Sequence, residues 1–574
     1  MTANDSSSSV ASPAEAGAAT AAGAAAAAPE APARDARLRV ELATAGLLPP
    51  LPAAFLAGRD RDLLDPLVFL PPGELPAPRP PLSADTAAAR RALADALAVA
   101  NRSYGHPGAD DLARRLADPA VEVVVAGQQP GLFGGPLYTL SKLVAASRWA
   151  AALEAAGRPA VAVFWVATED HDWHEVSRAT FLAPGGPREV DLGPDPEPLT
   201  PVGVRTLGPG VTEALAAVRE AMPGDRYDAW VDTLARWYRP EARFGEAFCR
   251  LMVELAGERC PLLLDALLPA LKQAQRPHLR RLVERRREVE EALAAADEAI
   301  ARRGHPHQVH PQRGVSPLFL FAHGERRRIA WAGDDEFQLR GEQRDGDGGP
   351  RPVGDLVAAI EDNPEIVSPG VLARPAVQDA VLGTSLFVLG PGEMSYLPQA
   401  APLHRLLEVA PPAVALRPQV LVLETHQVEQ LEDAGVSLAD ILGRREDLER
   451  RLAEASGADF THEPRQRLAA LLDELGPPAR DLDANLERPF ERTRDSVLGA
   501  FDTFAGKVRG AAARRDEVRA RRLDRLRETV LPGGRLQERV VASAHFPGKY
   551  GGRFAEAVAE QMELDGAVLQ VVTP

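Results

Sequence analysis

Two unbroken apolar runs, residues 121–126 and 161–167, each stop abruptly in polar groups and flank a stretch of helix length. Runs of this kind read as strands buried on both faces, and the strand, helix, strand succession reads as a βαβ unit of a parallel sheet. Residues 259–265 form a third such run ending at Asp265, and residues 385–390 a fourth that leads into Pro391, Gly392 and Glu393. Ligands of open α/β sheets bind beyond the carboxyl ends of the strands, so the polar groups closing these runs converge on one edge. Further along, the period changes. Leu438, Leu442, Leu448 and Leu452 recur near heptad spacing in a charged background. Val497, Phe501, Phe504, Val508, Ala511 and Val518 follow at steps of four, three, four, three and seven. With Gly476, Pro477 and Pro478 between the two sets, the pattern predicts an antiparallel helical hairpin, and residues 536–540 return the chain to the core. The expected class is α/β, a Rossmann-type parallel core with insertions plus a C-terminal antiparallel coiled coil.

Composition sets the limits of this arrangement. Residues 1–35 are rich in Ala, Ser, Gly and Pro and hold almost nothing large to bury, which predicts a disordered tail. Residues 36–420 then form the core, with a β insertion at about 304–345, residues 421–535 the hairpin, and residues 536–574 the return. At 574 residues and 45% hydrophobic content there is material for a sizeable core. The net charge of −16 argues against a nucleic-acid partner. Cys249 and Cys260 are the sole cysteines, too few for a disulfide framework and in keeping with a reducing cytosol; both read as buried spectators. No run of about 18 apolar residues and no basic leader is present, so a cytoplasmic protein without a membrane partner is expected.

The chemistry concentrates after the first two strands. Gly127, Gly131, Gly134 and Gly135 allow a tight turn, and Pro136 suits the start of the next helix, where free amides would face an anion. Neither standard phosphate-loop spacing is present. Gln128 and Gln129 lie in this loop, and Tyr138 and Lys142 share a helix face one turn on. After the second strand come Glu169, Asp170, His171 and Asp172. Crowded carboxylates beside a histidine shift one another's pKa and suit general acid/base work. His171 and His174 also invite a metal, as do His305, His307 and His310, but the usual zinc spacings are missing and no metal site is expected. Asp265 suits either a substrate contact or a helix cap. Arg374, Gln378, Asp379 and Glu393 form a later polar group, in which Arg374 can hold a carboxylate by two parallel hydrogen bonds.

The loop at 127–138 with Lys142, and the segment 164–172, resemble those of the bacillithiol biosynthesis cysteine-adding enzymes, the BshC family. Residues 363–365, Ser368, Pro369, Arg374, Pro375, Gln378, Asp379, the run 390–396 and residues 536–540 resemble the family's later motifs in the same order, so the likeness spans about residues 38–570. Gly370 and Ser177 depart from it, standing where asparagine is usual. The resemblance implies a ligase that adds L-cysteine to glucosaminyl-malate to complete the low-molecular-weight thiol bacillithiol, and a homodimer formed through the coiled coil. Forming an amide from a carboxylate in water requires an activated acyl group, so ATP with Mg²⁺ is the expected co-substrate, with no tightly bound cofactor. Lys142 and the loop amides would then hold phosphate, the acidic run would accept the amine's proton, and Arg374 with Gln378 would orient malate. A metal-dependent hydrolase of small amides, or a non-catalytic scaffold of thiol biosynthesis, are the alternatives.

Overall fold

The computed structural model describes residues 38–310, 312–341, 349–455, 460–515 and 517–574; the alanine-rich tail lies outside the described residues. Its centre is a six-stranded, wholly parallel sheet of β1 (Val68–Phe69), β2 (Glu122–Gln128), β3 (Ala160–Val166), β4 (Leu262–Asp265), β5 (Thr384–Leu389) and β6 (Ala413–Leu416). The spatial order is β1-β6-β5-β2-β3-β4. From β2 the chain winds outward through β3 and β4, then crosses back to β5 on the other flank. The topological switch point, where a ligand crevice opens, therefore falls between β2 and β5.

Strand alternation explains the unbroken apolar runs. Val123 and Val125 of β2 point into one core with Leu93, Leu97 and Leu116, whereas Val124 and Ala126 point into another with Leu140 and Leu143 of helix α1 (Leu137–Ala155). Each full burial of a valine or leucine is worth roughly 1.5–3 kcal/mol, and the charge at the start of β2, Glu122, is paired with Arg158 (2.6 Å). Helices α2 (Pro269–Glu284) and α3 (Arg286–Arg302) lead to the insertion, an antiparallel five-stranded sheet. Its outer strands, Arg351–Pro352 and Val367–Pro369, lie beyond the 304–345 span. Helices α4 (Arg374–Leu382) and α5 (Pro391–Ala400) flank β5.

The arm rises from short helices, Thr425–Ala434, Leu438–Leu442 and Arg445–Ala455, which separate the four heptad leucines onto two pieces. It continues as α6 (His462–Leu482), α7 (Glu487–Arg515) and α8 (Glu517–Val530). The expected turn at Gly476 is not there: Pro477 and Pro478 sit inside α6, and the chain reverses at residues 483–486. Of the heptad positions on the second arm, the side chain of Val518 lies outside the described residues. Among the described residues no helix is long and apolar enough to cross a membrane.

After α8 the chain returns as a strap. The amide of Leu137 donates to the carbonyl of Val541 (2.8 Å), that of Ser543 to Gly135 (2.7 Å) and that of Ala544 to Phe133 (3.1 Å). The last strand, Val568–Val572, then pairs in parallel with Gln419–Val422.

Candidate functional site

A cavity of about 600 Å³ opens beyond the carboxyl ends of β2 and β3, walled on its far side by α3 and the antiparallel insertion. Gly127, Gln128 and Gln129 line it from the first loop; Glu169, Asp170, His171 and Asp172 line it from the second; Arg374 and Glu393 line it from the β5 side. The two loops are joined directly, since Gln129 Nε2 donates to Asp170 Oδ2 (2.8 Å). Gly127 permits this approach, because a Cβ there would stand 2.9 Å from the carbonyl oxygen of Trp165.

The acidic run divides by surroundings. Glu169 is almost wholly buried and ion-paired to Lys272 of α2. Asp170 Oδ1 accepts the amide of His171 (2.8 Å). Asp172 caps the short helix Trp173–Val176, its Oδ1 accepting the amide of Glu175 (3.1 Å). Glu175 also lines the cavity, and its carboxyl is pushed up to about 7 by loss of solvent, with Asp172 and Asp170 adding repulsion. Burial lowers the pKa of His171, with the Arg326 guanidinium acting the same way against the opposing pull of Asp170, which keeps the ring neutral at physiological pH. Arg326, from the insertion, reaches both Asp170 Oδ1 and His171 Nδ1 at 3.4 Å.

Lys142 and the glycine turn lie elsewhere than expected. Lys142 is 2% exposed and forms an internal bolt across the switch point: Nζ donates to the carbonyl of Gly127 (2.7 Å) and to Gln128 Oε1 (3.0 Å) and pairs with Glu393. Glu393 in turn accepts the Gly390 amide at the start of α5 (2.8 Å). Neither Lys142, Tyr138 nor Gly131 lines the cavity. Gly131 lies close enough to Gly135 that a Cβ would stand 2.6 Å from the latter's Cα, and the strap takes up the amide at the start of α1. The Leu137 amide, expected to be free there, is thus already satisfied, because the helix start is packed under the C-terminal return. The Tyr138 ring lies under the Arg417 guanidinium, and burial pushes its hydroxyl up to about 12.

A buried relay stands behind Arg374. Its Nη1 donates to Gln378 Oε1 (2.9 Å), Gln378 Nε2 donates to Asp379 Oδ1 (3.2 Å), and Asp379 Oδ2 meets His404 Nε2 (2.9 Å). Gln378 and Asp379 do not reach the cavity, so the direct substrate contact expected of them is replaced by support of Arg374. Its Nη2 faces the Tyr396 hydroxyl (3.3 Å) and Glu393 (3.8 Å). Asp265 is likewise set back, accepting the Leu267 amide (2.8 Å) and the Thr168 hydroxyl.

The reading of residue types missed Glu175, Lys272, Arg326, Arg328 and Tyr396. Arg326 and Arg328 belong to a basic run that looks like a solvated hairpin; only strand alternation places both on one face. His305 pairs with Asp60 (2.9 Å) and His307 with the carbonyl of Asp297 (2.9 Å), so these histidines do not converge. Among the described residues no three His, Cys, Asp or Glu side chains are grouped to hold a metal ion. Burial drives both cysteine thiols upward, away from the reactive thiolate. At Gly370 a Cβ would meet the Pro317 carbonyl at 2.8 Å and the Phe319 ring at 2.9 Å, which explains why no asparagine stands there.

Residues 81–418 match the family model described as "Bacillithiol biosynthesis BshC, N-terminal Rossmann-like domain", and residues 420–572 match "Bacillithiol biosynthesis BshC, C-terminal coiled-coil domain". A relative from Salinibacter ruber named "Putative cysteine ligase BshC" is 31% identical over 513 residues, covering 85% of this chain and 91% of its own. Relatives of the same name from Heliobacterium modesticaldum (31% identical, 84% and 88% covered) and Solibacter usitatus (28%, 83% and 88%) are similar over the same extent.

Proposed function

Because the chain belongs to the BshC family of bacillithiol biosynthesis, we propose that it is a ligase joining the carboxyl group of L-cysteine to the amine of glucosaminyl-malate. The observation that carries this reading is the Gln129 to Asp170 hydrogen bond, which brings amide groups, acids and arginines to a single cavity. An amine attacks an activated acyl carbon and must then lose a proton. Glu175, Asp170 and the neutral His171 ring are the acceptors within that cavity. Arg374, held by Gln378, orients a substrate carboxylate. Carboxylate is a poor electrophile, so ATP with Mg²⁺ is the activator in this proposal, and the acyl group reacts where the cavity walls limit access of water.

The arm supports a homodimer. Leu471, Leu475 and Leu482 of α6 and Phe504 of α7 are each more than half exposed, and Leu475 and Leu482 are seven residues apart on one helix face. A second copy of the arm would cover such a stripe.

The ligase reading is tested with purified protein, glucosaminyl-malate, cysteine, ATP and Mg²⁺, followed by mass spectrometry of the thiol product. A product that forms with ATP and not without it supports the reading; absence of product under both conditions sinks it.

A further inference from the structure

The insertion sheet has two faces of opposite character. Leu318, Leu320 and Ile329 point into a core with Phe337, Leu356 and Val377, whereas Phe319, Arg326 and Arg328 line the cavity. Two residues apart on one strand, Arg326 and Arg328 share a face, and Arg328 stands directly across from Phe319 in the ladder. Both guanidinium groups lie on that one ring, at 3.7 and 5.5 Å from its centroid. Arg326 is 5% exposed and fixed in place, Nε donating to Ser368 Oγ (3.0 Å) and Nη2 to the Pro369 carbonyl (3.2 Å). Arg328 and Arg313, which also lines the cavity, make no side-chain hydrogen bond or ion pair among the described residues.

An arginine on a surface hairpin is ordinarily a solvated group. Here a buried one is anchored and paired with Asp170 (3.4 Å), and a second is stacked beside it on the same ring with no carboxylate of its own. Like charges held together at a cavity wall are costly unless a counter-charge arrives. Arg374 is less available for that task, since its donors already face Gln378, Tyr396 and Glu393, and Arg326 is likewise taken up by Ser368, Pro369 and Asp170.

We propose that this face of the insertion is the anion-recognition wall of the cavity, where Arg328, set on the Phe319 ring beside the anchored Arg326, and Arg313 at the rim hold an oxyanion of two or more charges. A guanidinium fork matches paired oxygens, whether of a dicarboxylate or of a polyphosphate. The proposal rests on the ligase reading for its two sources, the malate end of the sugar substrate and the phosphates of the activating nucleotide. Asp170 is already paired with Arg326 (3.4 Å), and Glu175 is left for the amine.

Calorimetric titration of the full chain with L-malate and, separately, with inorganic tripolyphosphate tests this directly. Arg313 and Arg328 are exposed and, apart from the stacking of Arg328 on Phe319, support no other side chain, so the double variant Arg313→Gln, Arg328→Gln is expected to keep the thermal midpoint of the native protein. It is expected to bind one of the two anions at least about tenfold more weakly, and the anion affected identifies the source. Arg328→Lys, which keeps the charge and loses the fork, falls between. Equal affinity of native and double variant for both anions overturns the proposal, as does failure of the native chain to bind either. The two readings separate: a protein that shows the anion loss but makes no thiol product keeps the wall and loses the ligase. One that makes product and binds both anions undiminished in the double variant does the reverse.

Discussion

Four carboxylates follow β3 within seven residues, and their neighbours turn them into different chemical species. Glu169 is neutralised by Lys272, Asp172 is consumed as a helix cap, Asp170 is held by Gln129, and Glu175 keeps a proton up to about pH 7. If Glu175 accepts the proton in its ionised form, kcat/KM rises as pH passes through about 7. Glu175→Gln should abolish that limb and lower kcat/KM roughly a hundredfold, read from a pH–rate profile. The same group has a stability signature. Its pKa is raised on folding, so its contribution is favourable below the unfolded carboxyl value and is lost as pH climbs through about 7. Urea midpoints at pH 5 and pH 8 should therefore show Glu175→Gln gaining on the native protein at the higher pH. At the relay, His404 Nδ1 faces the Ala401 carbonyl (3.1 Å) and Nε2 faces Asp379, so both ring nitrogens meet acceptors. Asp379 in turn fixes which way the Gln378 amide is turned, leaving its oxygen for Arg374. His404→Leu strands a buried carboxylate at a cost of about 3–5 kcal/mol. As His404 is a positioning residue, the variant should raise KM for the proposed glucosaminyl-malate substrate while kcat holds, a split that a merely structural role would not produce.

At the scale of elements, the parallel strands were legible because burial on both faces leaves an unbroken apolar run. The turn in the arm was not. A glycine followed by two prolines reads as a break, since each proline removes a ladder hydrogen bond. Tertiary packing overrides it: Gly476 lies against the Phe490 ring, 3.1 Å from where a Cβ would stand, and the helix continues to Asp483, whose side chain accepts the Asn485 amide (2.8 Å) and sets the reversal. Hairpin contacts such as Arg494 to Asp473 (2.7 Å) hold the two helices side by side but leave the leucine stripe uncovered. Replacing Leu475 and Phe504 together by Glu is expected to halve the mass measured by sedimentation without unfolding the core. An unchanged mass would assign the stripe no part in self-association.

Across the whole molecule, the strap binds the core to the arm. Glu538 makes two hydrogen bonds to Arg417 (2.7 and 2.8 Å), both side chains almost completely buried, while Gln537 pairs with both the amide and the carbonyl of Val422. Glu538→Ala leaves Arg417 charged and unpaired, so a loss of about 3–5 kcal/mol is expected in urea denaturation. The switch-point crevice could be inferred from strand endings alone. The closure of the glycine loop could not, because its partners lie 407 positions away and nothing local announces them. That separation carries a consequence for how the protein is made. At roughly 5–20 residues per second, translation leaves the loop at 131–137 waiting on the order of 20–80 s for residues 541–544 to be polymerised. A nascent chain therefore holds the turn that follows its switch-point strand unfinished until synthesis is almost over, and any agent that shields newly made protein has that interval in which to engage it.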